Sequence, residues 1–180
     1  ESNGHARQMF EQATQLDPHF AAAYAVLGLT YLAEIAFQWD QSPQVIDKLL
    51  SLAQQAVRLD DSQPIAHEAL AYAYLGKKQH DRAIVAAERA VALDPNSADA
   101  YQTLGDILSF AGRPEEAVTL IEKAMRLNPR YTASYLWSLG QAYRLVGRAE
   151  EAIGALQRAV LRNPDHITAH VMLAVSFMEV

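Results

Sequence analysis

The sequence predicts an all-α fold, a solenoid of about ten helices in antiparallel pairs. Its first ground is internal repetition. QLDPHFAAAYAVLGLTY (15–31), RLDDSQPIAHEALAYAY (58–74), ALDPNSADAYQTLGDIL (92–108) and RNPDHITAHVMLAVSF (162–177) align at sight, and RLNPRYTASYLWSLGQAY (126–143) carries one extra residue. The second is period. Asp61, Pro95, Pro129 and Pro164 recur at 34, 34 and 35 residues, while 43 separate Pro18 from Asp61. The third is that apolar residues at spacings of three and four put one stripe on each helix.

Taken in order, residues 1–180 read as one array. Residues 3–17, with Ala6, Phe10 and Ala13, form the second helix of a truncated repeat. Residues 21–61 are repeat 1, 64–95 repeat 2, 98–129 repeat 3 and 133–164 repeat 4; 165–180 read as a first helix without its partner. Gly105, Gly140, Ala71, Ala83, Ala117 and Ala152 are small, which lets paired helices approach closely. Pro95, Pro129 and Pro164 sit where one pair ends, because proline stops helix propagation. GKKQHD (76–81), GRPEE (112–116) and GRAEE (147–151) are the turns inside pairs. Pro114 suits a first helical position, Glu115–Glu116 and Glu150–Glu151 suit the positive end of a helix dipole, and Arg58, Arg126 and Arg162 suit the negative end. The extra residue of repeat 4 is expected in PRYTAS or at the start of the helix that follows. The chain starts at Glu1 and not at a methionine, and neither end shows a polar capping helix. It therefore reads as the interior of a longer array, with apolar end faces through which it could self-associate.

FQWDQSPQ (37–44) breaks the rhythm. Six residues are inserted before Pro43 and three after it, so this hairpin should be taller, with Ser42 as N-cap and Pro43 as first helical residue. The first helix is expected to run through Phe37 and end near Trp39. Two roles are open for Phe37 and Trp39: packing on the lengthened second helix, or contact with a partner from the hairpin tip.

The period, together with Tyr101, Leu104, Gly105 and Leu108 in one helix and Ala117, Ile121 and Ala124 in the next, resembles the tetratricopeptide repeat. His67, Leu70, Ala71 and Tyr74 match in repeat 2, and Leu136, Leu139, Gly140 and Tyr143 in repeat 4. The resemblance covers nearly the whole chain and implies a right-handed solenoid. The Trp-bearing hairpin, FAGRPEEAVTLIEKAMRLNPRY (110–131) and YLWSLGQAYRLVGRAEEAI (135–153) are similar to the repeat regions of bacterial class III adenylate/guanylate cyclase-linked signalling proteins.

Catalytic and cofactor signatures are lacking. The formal charge is −6 and no run of Lys/Arg exceeds two, so a nucleic-acid partner is not expected. No apolar run approaches a membrane span and no leader is visible, so a cytoplasmic chain without a membrane partner is expected. The absence of cysteine excludes disulfides and thiolate chemistry. His166 and His170 lie four apart but lack a third ligand, and His170 occupies the same repeat position as His67, so no metal is expected. Adjacent glutamates point in different directions on a helix and do not form an acid/base pair. No phosphate-binding glycine loop or nucleophile elbow occurs. No cofactor and no catalytic residue are expected.

What the resemblance implies is a partner peptide or domain held on the concave face lined by first helices. The inward positions are Glu68 and Tyr72 in repeat 2; Gln102, Asp106, Ser109 and Phe110 in repeat 3; and Trp137, Gln141 and Arg144 in repeat 4. Repeat 1 offers Ala22, Ala25 and Leu29. This mixture of aromatic anchors and hydrogen-bonding groups suits peptide recognition. Packing between repeats is the competing role for Phe110 and Trp137. The positions of a carboxylate clamp carry Ala25, Leu29, Ala69, Asp99 and Thr103, which argues against an acidic C-terminal tail as ligand. Three readings follow: a non-enzymatic interaction scaffold; the regulatory region of a larger enzyme, a nucleotide cyclase or a glycosyltransferase; and a spacer without ligand.

Overall fold

The computed structural model describes residues 2–36 and 43–179, and among them every regular element is an α-helix. The chain divides into two compact units, Glu1–Pro95 and Asn96–Val180. The first holds α1 (Ser2–Leu16), α2 (Ala21–Ala36), α3 (Pro43–Leu59), α4 (Pro64–Gly76) and α5 (His80–Leu93). In it α2 packs on α3 and α4 on α5, while α1 lies against α2, and α4 against both α2 and α3. The second holds α6 (Ala98–Phe110), α7 (Pro114–Leu127), α8 (Ala133–Leu145), α9 (Ala149–Arg162) and α10 (Ile167–Met178). There α6 pairs with α7 and α8 with α9, α7 touches α8, α9 touches α10, and the first helices α6, α8 and α10 meet in sequence.

Local chemistry sets the boundaries. Pro43, Pro64 and Pro114 each begin a helix, where the missing N–H costs nothing. Ser97 caps α6 by accepting from the Ala100 N–H at 3.1 Å. Between pairs, a side-chain oxygen of Asp17, Asp60, Asn128 or Asn163 accepts the N–H two residues on, at 2.9–3.2 Å. These bonds explain why Asp or Asn precedes the proline position. Within pairs, Gly112 (φ 80°) and Gly147 (φ 76°) take the left-handed conformation that ends a helix, and Lys78 (φ 58°) takes it in the equivalent turn. In all three turns the next N–H bonds back to the carbonyl five residues earlier, at 2.9 Å, as from Arg113 to Leu108. Gly76, the glycine that heads GKKQHD, is instead the last residue of α4.

Packing then explains the small residues. A Cβ on Gly105 would stand 2.5 Å from Ile121 Cγ1, and one on Gly140 would stand 2.6 Å from Leu156 Cγ. Both neighbours are fully buried, and burying such a side chain stabilises the fold by roughly 1.5–3 kcal/mol. In the first unit Ala25, Ala53, Ala56, Ala66 and Ala69 form a core that joins α2, α3 and α4. In the second, Ala133, Leu136, Ala159 and Ala169 do the same for α8, α9 and α10.

The irregularities resolve in part. The helix after the insertion, α3, has 17 residues where α5, α7 and α9 have 14, and α2 has 16 where α4, α6 and α8 have 13. The added length of α3 is three residues, close to one turn, so its buried stripe is kept. Phe37, Trp39 and Ser42 lie outside the described residues. The extra residue of repeat 4 lies in the turn: α8 starts four positions after Pro129, whereas α6 and α10 start three after Pro95 and Pro164. Tyr131 in that turn is clasped by α9. Its hydroxyl accepts from Arg158 Nη2 at 2.6 Å, its carbonyl accepts from Arg162, and the Arg162 guanidinium lies 4.6 Å from its ring centroid.

Candidate partner-binding face

Residues 102, 106 and 109 are spaced by four and three, so they share one face of α6; 137, 141 and 144 repeat that spacing on α8. The two helices are tied along this face. Gln102 Nε2 donates to Ser138 Oγ at 3.1 Å, and Tyr135 Oη donates to Asp99 Oδ1. At the far end of α8, Arg144 Nη1 donates to Glu179 Oε1 at 2.7 Å. Trp137 packs its ring against the Ala133–Leu136–Ala159–Ala169 core, the packing role weighed above.

The face is polar and largely covered. Asp106, Ser109, Ser138 and Gln141 are all buried, and Phe110, the last residue of α6, is half exposed. Among the described residues, four enclosed polar atoms have no hydrogen-bond partner: Ser109 Oγ, Trp137 Nε1, Gln141 Oε1 and Arg144 Nε. Interiors normally satisfy such groups through protein or bound water, and all four lie on α6 and α8.

In the first unit Glu68 is buried and Tyr72 half-buried on α4. The inward role expected of Ala25 does not hold: it is 0% exposed in the core between α2, α3 and α4, because a methyl that small lets α4 close over it. The sequence did not single out Ser138 or Glu179. Ser138 is visible only as the residue after Trp137, and Glu179 lies beyond the last helix. A separate open hollow of about 480 Å³ lies between α4 and α5, lined by His67, Leu70, Tyr74, Arg82, Val85 and Arg89 among others.

His67, His166 and His170, and Glu116 and Glu151 of the two glutamate pairs, have structural partners. His67 Nε2 and His170 Nε2 each lie 2.8 Å from the carbonyl six residues earlier, Asp61 and Pro164. His166 Nδ1 accepts the Ala169 N–H at 3.3 Å and so caps α10; burial holds its pKa below the usual histidine value. Glu116 pairs with Arg113 through two bonds of 2.6 and 2.7 Å, which lowers its pKa, and Glu151 pairs likewise with Arg148. Among the described residues no group of three His, Asp or Glu could hold a metal ion, and no helix is long and apolar enough to cross a membrane.

Together these features define an α-helical repeat protein built of paired helices, with a polar face on α6 and α8. Models of the tetratricopeptide repeat match residues 64–107 and 96–162, together more than half of the chain. The chain belongs to the tetratricopeptide-repeat family. Over 83 residues it is 42% identical to the Rhizobium meliloti (strain 1021) protein named "Putative adenylate cyclase 3", covering 46% of this chain and 14% of that one. Among solved structures, it is similar to the thermophilic repeat protein TTC0263 of Thermus thermophilus, with TM-score 0.77, 19% identity, and 98% and 91% of the two chains covered. Similarity extends to YrrB, described as having an unusual peptide-binding site, with TM-score 0.57, 22% identity, and 93% and 81% covered. Human IFIT1, solved with m7Gppp-AAAA, gives TM-score 0.83 and 20% identity over 98% of this chain and 42% of that one. At these identities the structural likeness speaks for the fold.

Proposed function

We propose that this chain is a non-enzymatic interaction module that binds a peptide or partner domain on the concave face of its first helices. The partly exposed Gln102, Trp137 and Arg144 on one face of α6 and α8 carry the reading, because an aromatic side chain beside hydrogen-bonding groups suits peptide recognition. In the second unit Gln102, Asp106, Trp137, Gln141 and Arg144 would form the contact, with Phe110 as an apolar rim; in the first unit, Glu68 and Tyr72 would form a contact of their own. The net charge of −6 disfavours a nucleic-acid ligand of the kind present with IFIT1. Affinity capture with the wild-type chain, compared with Tyr72→Ala, Gln102→Ala and Trp137→Ala, tests it. The partner should be lost from at least the Gln102 and Trp137 variants while their circular dichroism is unchanged; retention of every partner by all three overturns the reading.

The 42% identity to a protein named as a cyclase favours a second reading, in which the module regulates a catalytic domain elsewhere in a longer protein. Cyclic-nucleotide formation by the full-length gene product, altered by Trp137→Ala, would support it. A gene product without a catalytic domain would dismiss it.

A further inference from the structure

We propose that α5 receives the α5 of a second copy of this chain, antiparallel, along the open hollow between α4 and α5. The stretch DRAIVAAER (81–89) is self-complementary about its centre. A two-fold axis at Val85 places position 81 of one copy opposite position 89 of the other, and position 82 opposite position 88. Asp81 then faces Arg89 of the second copy and Arg82 faces its Glu88, and the symmetry repeats both pairs. At about 100° per residue, these four side chains leave the helix within about 60° of Val85, so they flank it on one face.

That face is open. Val85 is 65% exposed, and Asp81, Arg82, Glu88 and Arg89 are exposed around it. Among the described residues the side chains of Asp81, Glu88 and Arg89 have no hydrogen bond or ion pair. Arg82 is fixed in place: Nη2 donates to Tyr74 Oη at 2.6 Å, and the guanidinium lies 4.0 Å from that ring's centroid. The hollow of about 480 Å³ is lined by Val85 together with Leu70, Tyr74 and Ala86, so a helix laid along it buries aliphatic surface as well as pairing charge. Smaller side chains open it: repeat 2 has His67 and Ala86 where repeat 3, 34 residues on, has Tyr101 and Leu120. Exposed ion pairs are weak, so Val85 and the hollow would supply the affinity and the charges the register. The equivalent stretches of α7 and α9 lack the pattern. In α7 the centre is Thr119 and Glu116 would meet Glu122; in α9 the centre is Gly154 and Glu151 would meet Gln157.

Sedimentation equilibrium of the whole chain, from about 10 μM to about 1 mM, measures the association. Wild type should dimerise, with a dissociation constant that rises at least about tenfold in Val85→Asp. Asp81→Arg and Arg89→Asp each set like charges against one another and should weaken the dimer. The double variant Asp81→Arg/Arg89→Asp should restore it, as should an equimolar mixture of the two single variants, with circular dichroism unchanged throughout. A wild-type chain that stays monomeric to about 1 mM overturns the inference. So does a dimer that Val85→Asp and both charge reversals leave unchanged, and so does weakening by the single reversals without rescue by the double variant or the mixture.

Discussion

Gln102 and Ser138, 36 residues apart, are joined by a 3.1 Å hydrogen bond that ties α6 to α8 on the face proposed for binding. The bond serves stability and function at once. Ser138→Ala removes the acceptor and leaves a part-buried amide, which should cost about 0.5–1.5 kcal/mol. Urea titration of Ser138→Ala, Gln102→Ala and the double variant checks this, with single effects that fail to add in the double variant.

The glycines separate into two kinds. Gly105→Ala and Gly140→Ala drive a methyl into Ile121 and Leu156 and should each destabilise by about 1–3 kcal/mol. Gly154, inside α9, has nothing within 4 Å of an added Cβ, so Gly154→Ala should stabilise by roughly 0.5–1 kcal/mol. Thermal or chemical melting of the three variants gives the signs.

Lys78 holds a left-handed conformation that Gly112 and Gly147 hold in equivalent turns. Lys78→Gly should therefore gain up to about 1 kcal/mol, and Gly112→Ala should lose about as much. Both sites are exposed, so packing will not mask the backbone effect. Denaturant midpoints measure it.

His166 makes α10 sensitive to acid. Its folded pKa lies below the ordinary histidine value of 6.5, chiefly through burial. The unfolded chain therefore binds the proton more readily, so the stabilisation is full above pH 6.5 and declines as pH falls through 6.5 towards the lower folded value. Protonation also removes the Nδ1 acceptor that caps the helix. Amide hydrogen exchange in α10 should speed up at about pH 5.5 relative to about pH 7.5, beyond the intrinsic pH effect. In His166→Asn, which retains a capping oxygen without the titration, that extra change should vanish.

Much of the fold was legible because its causes are local. The D-P and N-P pairs mark turns that close within two or three residues, and Pro43 and Pro114 start helices by their own geometry. The place of the extra residue in repeat 4 was not legible. PRYTAS and the helix start are equally compatible with the stripe on α8, and the turn holds it through Tyr131 contacts with Arg158 and Arg162 of α9. Glycine spelling also misled at Gly76, because the left-handed residue of that turn is Lys78, two positions on.

For the candidate site, sequence alone determined which positions share a face: a period of 34 and a helical repeat of about 3.6 place Gln102 with Asp106, and Trp137 with Gln141. Only the tertiary structure decided what those side chains meet. Ser138 receives Gln102, Glu179 receives Arg144, and among the described residues four enclosed polar atoms have no partner within the protein. Periodicity is carried by neighbours along the chain, whereas a hydrogen bond between residues 35 or 36 apart depends on ångström-scale distances that only the packing of whole helices sets.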